Sequence, residues 1–397
     1  MGFSLPRGFR LAGVSCGIKR NRDCPDLTLI VGDEPLVAAG VYTTNLICAA
    51  PVVVDRQRTP SDAIRVVVAN SGNANACTGE RGLRDALDMA GDAARACGAA
   101  TEQALVLSTG IIGEYLPMEK IRNGIAQAAA QLGCDEASFV NAARGITTTD
   151  RQHKVAAREV ACEGSVLRIA GMAKGAGMIG PKMATLLAVL MTDAPLAPPE
   201  AQEVLQEAVD ASFNCISVEG HTSTNDTVLL LASGKACQRP LPARHRALFQ
   251  QALSDTCVEL ARLIPDDGEG ASHLITIDVS GCATPDDARR IAETIANSAL
   301  VKTAIAGADP NWGRIVSAAG YAGVPFDPNR LSLFLNQRPL FRNGQPVPFD
   351  AQDVSDAIRN NRETHVDLRL EMGVSRIRFW TSDLTADYVK LNADYHT

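Results

Sequence analysis

The sequence predicts a mixed α/β protein, in which helices cover sheets whose strands come in clusters. Apolar runs of strand length occur at 27–31, 37–43, 51–54, 64–70, 104–108, 165–170, 185–191, 227–233 and 274–279. Runs with apolar residues at helical spacing occur at 81–97, 118–132, 199–211, 245–263 and 285–298. Because the strands do not alternate strictly with the helices, we do not expect a regular doubly wound parallel sheet.

The individual elements rest on local patterns. The strand predictions depend on β-branched and aliphatic residues bounded by turn-forming residues. In 81–97, Leu83 and Leu87 begin an apolar stripe on one face of a helix. In 118–132 a similar stripe ends just before Gly133, which we expect to cap that helix.

The composition limits the kind of core and partner. Of the 397 residues 46% are hydrophobic but only 4% are aromatic, so we expect a core of Val, Leu, Ile and Ala. This length accommodates two modest domains or one large layered unit. The formal net charge of −7 provides no broad basic surface. We therefore expect neither nucleic acid nor an anionic membrane as a partner.

Cysteine, histidine and apolar patterns indicate the compartment. The eleven cysteines show no CxxC spacing and the six histidines no HExxH or HxxxH, so we expect reduced thiols and no metal site. The first residues lack a secretion signal, and the longest apolar run, 183–191, is too short to span a bilayer. We expect a cytoplasmic protein. Walker A and dinucleotide-binding glycine patterns are also missing.

A glycine-rich segment, KGAGMIGPKMAT at 174–185, leads directly into an apolar strand. If the bond between Ala184 and Thr185 is cut, Thr185 gains a free α-amine beside its hydroxyl. A hydroxyl with its own amine as general base is a minimal nucleophile. The alternative is a flexible glycine loop that enters a buried strand and is never cut.

The segment 174–185 resembles the self-cleavage segment of the ArgJ family, the glutamate N-acetyltransferases of arginine biosynthesis, also called ornithine acetyltransferases. The resemblance extends from PRGF at 6–9 to NADYHT at 392–397. It implies a layered αββα fold that cuts itself between Ala184 and Thr185. The products would be an alpha chain, 1–184, and a beta chain, 185–397, that begins with the nucleophile Thr185.

Ser108, Thr109 and Gly110 follow a predicted strand. Hydroxyl and backbone N–H groups at such a bend suit an anion or a developing oxyanion, although an ordinary turn would also satisfy them. The resemblance implies an oxyanion hole here. Thr109 would donate through its hydroxyl and Gly110 through its backbone N–H.

Two further segments are candidates for substrate binding. The polar cluster TTTD at 147–150 is typical of a turn, but the resemblance implies a substrate contact, first at Thr148 and otherwise at Thr149 or Asp150. Lys174, among glycines, is either a solvated loop charge or a partner for a substrate carboxylate. The resemblance implies the second role, with Lys182 a weaker candidate.

The acidic segment DDGEGA at 266–271 contains close carboxylates, which repel unless they are exposed or balanced by a cation. It is either a solvated turn or provides a carboxylate that binds the cationic amine of an ornithine-like substrate or orients the Thr185 amine. The resemblance singles out Glu269, and it implies that Asn392 and Thr397 of the tail complete the site. Nearby, His273 is expected to pack or cap rather than act as a base.

Two further segments match the family pattern, one before 227–233 and one around Trp312. In the polar stretch before 227–233, Glu219 and His221 replace the aspartates that the family usually has. The resemblance therefore implies no role for these two positions. Trp312 and Arg314, in DPNWGR, either line a pocket or form a structural turn.

Taken together, the resemblance implies a self-processing acetyltransferase. It would move the acetyl group from N2-acetylornithine to glutamate through an acetyl-Thr185 intermediate, without a metal or bound cofactor. Acetyl-CoA is a co-substrate in some members, and the assembly would hold two alpha and two beta chains. One alternative is an N-terminal-nucleophile aminopeptidase or amidase. Another is a non-catalytic amino-acid-binding protein whose glycine loop stays intact.

Overall fold

The computed structural model describes residues 4–21, 23–162, 164–180, 186–237 and 240–394. Its strands are β1 (Phe9–Val14), β2 (Leu27–Tyr42), β3 (Ser61–Asn73), β4 (Ala104–Ile111), β5 (Lys154–Cys162), β6 (Ser165–Lys174), β7 (Leu187–Thr192), β8 (Ile216–Ser217), β9 (Thr227–Ala232), β10 (Leu274–Cys282), β11 (Ser332–Leu335), β12 (Arg338–Arg342), β13 (Gln345–Pro346), β14 (Glu363–Arg369) and β15 (Ser375–Ser382).

The helices are α1 (Ala50–Arg58), α2 (Gly79–Ala96), α3 (Met118–Ala129), α4 (Glu136–Gly145), α5 (Pro198–Asp210), α6 (Ala243–Asp266), α7 (Pro285–Ala296), α8 (Ala299–Ala306), α9 (Trp312–Gly320), α10 (Ala351–Arg359) and α11 (Ala386–Asp394). Within the described ranges, none of these helices is long and apolar enough to cross a membrane. The mixed α/β class predicted from the sequence is confirmed.

The first sheet combines strands from both sides of the predicted cleavage bond. Its order is β4-β3-β2-β9-β7-β6-β5, with β1 paired to β2. The pairs β3–β4 and β7–β9 are parallel, whereas β2–β9 and β6–β7 are antiparallel. The strands β7 and β9, which follow residue 185, therefore lie between β2 and β6, which precede it.

The second sheet is built from the part of the chain that follows residue 215. Its order is β13-β12-β11-β14-β10-β15-β8. The parallel pairs β10–β14 and β8–β15 make it a mixed sheet as well.

Three large buried clusters in the described part of the chain hold the layers together. One face of the first sheet packs around Phe139 of α4. Helices α1, α2 and α3 cover the other face of β2, β3 and β4. On β6, β7 and β9 the corresponding face packs against α5 and α6, and this cluster continues into the second sheet and α7. As predicted, aliphatic residues dominate, and burying them supplies most of the folding free energy.

Two local predictions are wrong. Residues 51–54 were expected to form a strand but lie in α1, where Pro51 occupies the first turn. Proline is favoured there because the first turn has no partner for its N–H. Gly133 does not cap α3, which ends earlier, at Ala129, with Ala130 as its C-cap. Instead, its N–H and C=O pair with Leu11 of β1.

Candidate active site

Several strand ends of the first sheet meet at one edge. Lys174, the last residue of β6, pairs with Leu187 at the start of β7. Leu187 also pairs with Thr227 at the start of β9, and Thr227 pairs with Tyr42 at the end of β2. The strand ends that precede and follow the predicted cleavage bond, at Lys174 and Leu187, are therefore paired with each other, and Leu187 is also paired with the start of β9.

The predicted oxyanion segment is part of a strand rather than a turn after it. β4 continues through Gly110 to Ile111, where it pairs with a bulged end of β3. Gly110 has φ +134°, and a Cβ there would lie 2.3 Å from the carbonyl carbon of Gly72. Only glycine fits this close approach. Thr109 beside it is 6% exposed.

Lys174 brings the two predicted motifs into contact. Its side chain is 2% exposed, and Nζ donates to Oγ1 of Thr109 at 3.4 Å. Burial lowers the pKa of the Lys174 ammonium, while the carboxylates of Asp150 and Glu269 favour its charged form. Lys174 is therefore a buried, paired charge rather than a solvated loop charge.

The side chain of Asp150 braces the segments on both sides of the site. Its Oδ2 accepts from the backbone N–H of Thr148 at 3.0 Å, and its Oδ1 accepts from that of Gly175 at 2.7 Å. Lys154 Nζ donates to Oδ1 at 2.7 Å. Burial alone would raise the pKa of Asp150, but Lys154 and Lys174 hold it below its usual range. Asp150 thus fixes Thr148 relative to the end of β6.

Glu269 is a second carboxylate that interacts electrostatically with Lys174. Its backbone N–H donates to Ala176 O at 2.8 Å, and its carboxylate lies against Gly177, where a Cβ would be 2.5 Å from Cδ. Asn392 Nδ2 donates to Oε2 of Glu269 at 3.0 Å. Helix α11 therefore brings the tail residue to the predicted site residue. The glycine at 177 serves this close approach, whereas the sequence had indicated only flexibility.

Glu219 is a second carboxyl group near Glu269. Neither of its carboxylate oxygens has a hydrogen-bond partner in the described part of the chain, and both are buried. Burial and the negative charge of Glu269 raise the pKa of Glu219 to about 8, although Lys302 opposes this effect. At neutral pH Glu219 is therefore largely protonated.

Leu186 is held by the residues that begin β9. Its N–H donates to Oδ1 of Asp226 at 2.7 Å, and its C=O accepts from Thr227 N at 3.1 Å. Ala184, Thr185, Lys182 and Thr397 lie outside the described residues, so their predicted roles remain predictions.

The structure thus brings together Thr109, Gly110, Lys174, Glu269 and Asn392, with Thr148 attached through Asp150. Sequence reasoning overlooked Lys154, Asn225 and Asp226. The dense polar run STND at 223–226 was the available signal, but it does not reveal partners that are distant along the chain.

Other candidates have structural partners. His273 is buried, with Nδ1 2.9 Å from Asp383 Oδ2, in agreement with the predicted packing role. Arg314 donates to the Leu300 carbonyl at 2.9 Å, and Trp312 stacks on Phe341. This arrangement favours the structural reading of that motif. Among the described residues, no group of His, Cys, Asp or Glu could hold a metal ion.

Comparisons with known proteins identify the family of this chain. The model of the ArgJ family matches residues 10–397. The arginine biosynthesis bifunctional protein ArgJ of Rhodopirellula baltica is 48% identical over 396 residues, covering 99% of this chain and 96% of that protein. The protein of the same name from Thermosynechococcus vestitus is 45% identical over 415 residues, covering 100% and 98%. A crystal structure of the argJ protein from Bacillus halodurans has a TM-score of 0.51 and 36% identity, covering 52% of this chain and 98% of that chain.

Proposed function

Because this chain belongs to the ArgJ family, we propose that it is the self-processing acetyltransferase of arginine biosynthesis that moves an acetyl group from N2-acetylornithine to glutamate. The observation that carries the proposal is the contact between Lys174 Nζ and Thr109 Oγ1 at the edge where Leu186 is anchored. It joins a buried cation, a hydroxyl donor and the residue after Thr185 in one small region.

Processing begins when the Thr185 hydroxyl oxygen attacks the carbonyl carbon of Ala184. The peptide C–N bond breaks as the acyl group moves from nitrogen to oxygen, and the nitrogen becomes the free α-amine of Thr185. Water then hydrolyses the ester and releases residues 1–184 and 185–397 as two chains. The new amine can now act as general base for the hydroxyl of its own residue.

In transfer, the Thr185 hydroxyl attacks the acetyl carbonyl of N2-acetylornithine. The Thr109 hydroxyl and the Gly110 N–H stabilise the oxyanion, and the α-amine carries the proton from the hydroxyl to the leaving ornithine. The amine of glutamate then attacks the acetyl ester on Thr185, and N-acetylglutamate leaves. Holding both partners in one orientation supplies much of the rate enhancement.

We assign substrate recognition to one positively charged and one negatively charged side chain. Lys174 is suited to a substrate carboxylate, and Glu269 to the cationic side-chain amine of an ornithine-like donor. Thr148, Asn392 and Thr397 complete the proposed contacts. This chemistry requires no metal or bound cofactor, and acetyl-CoA is a possible second acetyl donor. The proposed assembly is cytoplasmic and contains two alpha and two beta chains.

Two measurements on the purified protein test the proposal. The intact mass under denaturing conditions should give two species that divide between Ala184 and Thr185, and Thr185→Ala should remain a single 42.0 kDa chain. Incubation with N2-acetylornithine and glutamate should yield N-acetylglutamate and ornithine. Acetate as the sole acetyl product would instead favour an aminopeptidase or amidase. An uncut, inactive wild-type chain would favour an amino-acid-binding protein.

A further inference from the structure

Asn225 connects the start of β9 to the oxyanion segment. Its Nδ2 donates to the carbonyl of Ser108 at 2.8 Å and to that of Ala74 at 2.7 Å. Asn225 is buried, and Ser108 immediately precedes Thr109. Both amide hydrogens of one side chain are thus used to fix the backbone next to the proposed oxyanion donors.

Asp226, the next residue, connects the same point to the nucleophile segment. Its Oδ1 accepts from Leu186 N at 2.7 Å, while Thr227 N holds the Leu186 carbonyl at 3.1 Å. Both backbone polar groups of Leu186 are therefore fixed. Leu186 is the residue that follows the proposed nucleophile Thr185 in the chain.

Burying the carboxyl group of Asp226 costs free energy. The residue is 0% exposed, and Oδ2 has no hydrogen-bond partner among the described residues. Burial raises the pKa of Asp226 well above its usual value, although the Leu186 N–H and the Lys174 charge favour the ionised form. The hydrogen bond from Leu186 N partly offsets the free-energy cost of burying this carboxyl group.

We propose that Asn225 and Asp226 are positioning residues that together set the distance between the Thr185 nucleophile and the oxyanion donors Thr109 and Gly110. This inference rests on the proposed function. These adjacent residues hold Ser108, which precedes Thr109, and Leu186, which follows Thr185 in the chain. After the cut, Thr109 belongs to one chain and Thr185 to the other, and Asn225 then provides a non-covalent connection across them.

Asp226→Ala tests the part of the proposal that concerns the anchoring of Leu186. Each variant is produced by cell-free synthesis, and the loss of the full-length 42.0 kDa chain is followed on a denaturing gel. We expect cleavage and kcat to fall about 100-fold, the size of effect that a 1 Å misplacement produces. Asp226→Asn keeps an acceptor for Leu186 N and should restore most of the rate. Wild-type cleavage in Asp226→Ala would overturn the inference.

Asp55 provides a matched control. It is also 0% exposed, its Oδ1 accepts from a backbone N–H, that of Val106, at 2.9 Å, and its Oδ2 lacks a partner in the described ranges. Asp55→Ala should lower the thermal unfolding midpoint as Asp226→Ala does, but leave the rate of cleavage unchanged. Equal slowing in both variants would show a general effect of stability and overturn the inference.

Asn225→Ala tests the part of the proposal that concerns the oxyanion segment. It also provides a test of the proposal if Asp226→Ala does not fold. Leu186 stays anchored, so we expect the chain to cut itself but to transfer acetyl groups with kcat about 100-fold lower and KM little changed. An unchanged kcat would overturn the inference. If the wild-type protein neither cuts itself nor transfers acetyl groups, the proposed function fails and the inference with it.

Discussion

At the scale of single residues, the contact between Lys174 and Thr109 determines which way the threonine hydroxyl can donate. An ammonium group has no lone pair, so Thr109 Oγ1 must accept from Lys174 Nζ. The hydroxyl hydrogen of Thr109 is then available to another acceptor. Lys174 therefore leaves the hydroxyl hydrogen of Thr109 free to donate to the oxyanion of the proposed reaction.

Removing this hydroxyl should lower the rate of acetyl transfer. Thr109→Val keeps the size and branching of the side chain, and we expect kcat to fall about 10²–10³-fold, as for other oxyanion donors. Thr109→Ser retains the hydroxyl and should keep most of the activity. Steady-state kinetics with N2-acetylornithine and glutamate measure both. If valine and threonine give similar kcat values, the oxyanion role of this side chain is wrong.

Glu219 should make the stability of the protein depend on pH. Its pKa in the folded protein is about 8, whereas an unfolded glutamate titrates near about 4.3. The folded state therefore binds the proton more tightly, and the stabilisation is complete below the unfolded pKa and is lost as the pH rises towards 8. Glu219→Gln removes this contribution.

The measurement compares urea unfolding of Glu219→Gln and its parent at several pH values from 5 to about 8, the window that the two pKa values define. Both carry Thr185→Ala, so that we expect an uncut chain. The stability of the Gln variant relative to its parent should increase with pH. The exposed Glu102 provides the control, since Glu102→Gln should give a constant difference. A pH-independent difference for Glu219→Gln would contradict the raised pKa.

The residues that sequence reasoning identified are those with recognisable motifs. Thr109, Lys174 and Glu269 were predicted and lie together in the structure. Asp150 was considered as a substrate contact, but both of its oxygens are engaged by the backbone and by Lys154. Asp226 was missed because its importance depends on Leu186, 40 residues away along the chain.

At the scale of elements, the end of β4 depends on a glycine. In Gly110→Ala, the new Cβ would lie 2.3 Å from Gly72 C and 2.5 Å from Asn73 N, at φ +134°. The strand end must separate from β3, so we expect loss of acetyl transfer and a destabilisation above the roughly 1–3 kcal/mol of backbone strain alone.

Gly113→Ala is the matched control for this prediction. Gly113 has φ +88°, but a Cβ there meets no atom within 4 Å. It should cost only the roughly 1–2 kcal/mol of the left-handed conformation. Urea unfolding, again in the Thr185→Ala background, compares the two. Equal destabilisation would show that the contact with β3 is unimportant.

The long patterns predicted their elements correctly, whereas one run of four residues was assigned to the wrong type of element. The stripe at 81–97 corresponds to α2, and the apolar run at 227–233 to β9. The four residues 51–54 are too few to distinguish a strand from the buried face of α1. The pairing of β7 between β6 and β9 could not be predicted, since it depends on contacts between distant segments.

At the scale of the whole molecule, the first sheet should keep the two proposed chains together. β7 pairs with β6 from Ile169↔Thr192 to Lys174↔Leu187, and β9 pairs with β2 from Val37↔Ala232 to Tyr42↔Thr227. The strands of the proposed beta chain are thus hydrogen-bonded to strands of the proposed alpha chain on both sides of the β7–β9 pair.

We therefore expect the cut protein to behave as one particle until it unfolds. Native mass spectrometry and size-exclusion chromatography should show both chains together, at the same size as the uncut Thr185→Ala protein. In increasing urea, separation of the chains should coincide with the loss of circular dichroism. Chains that separate on dilution, while the signal remains native, would contradict this expectation.

Because the first sheet is shared, the ability of the protein to refold depends on whether the chain has been cut. The strands of 1–184 and 185–397 can find one another as parts of a single polymer only before the cut. Afterwards, any molecule that unfolds must recover by collision of two separate partners, at a rate that depends on concentration. At high dilution we expect the unfolding of the cut enzyme to be effectively irreversible, so that its working lifetime is set by its unfolding rate rather than by an equilibrium.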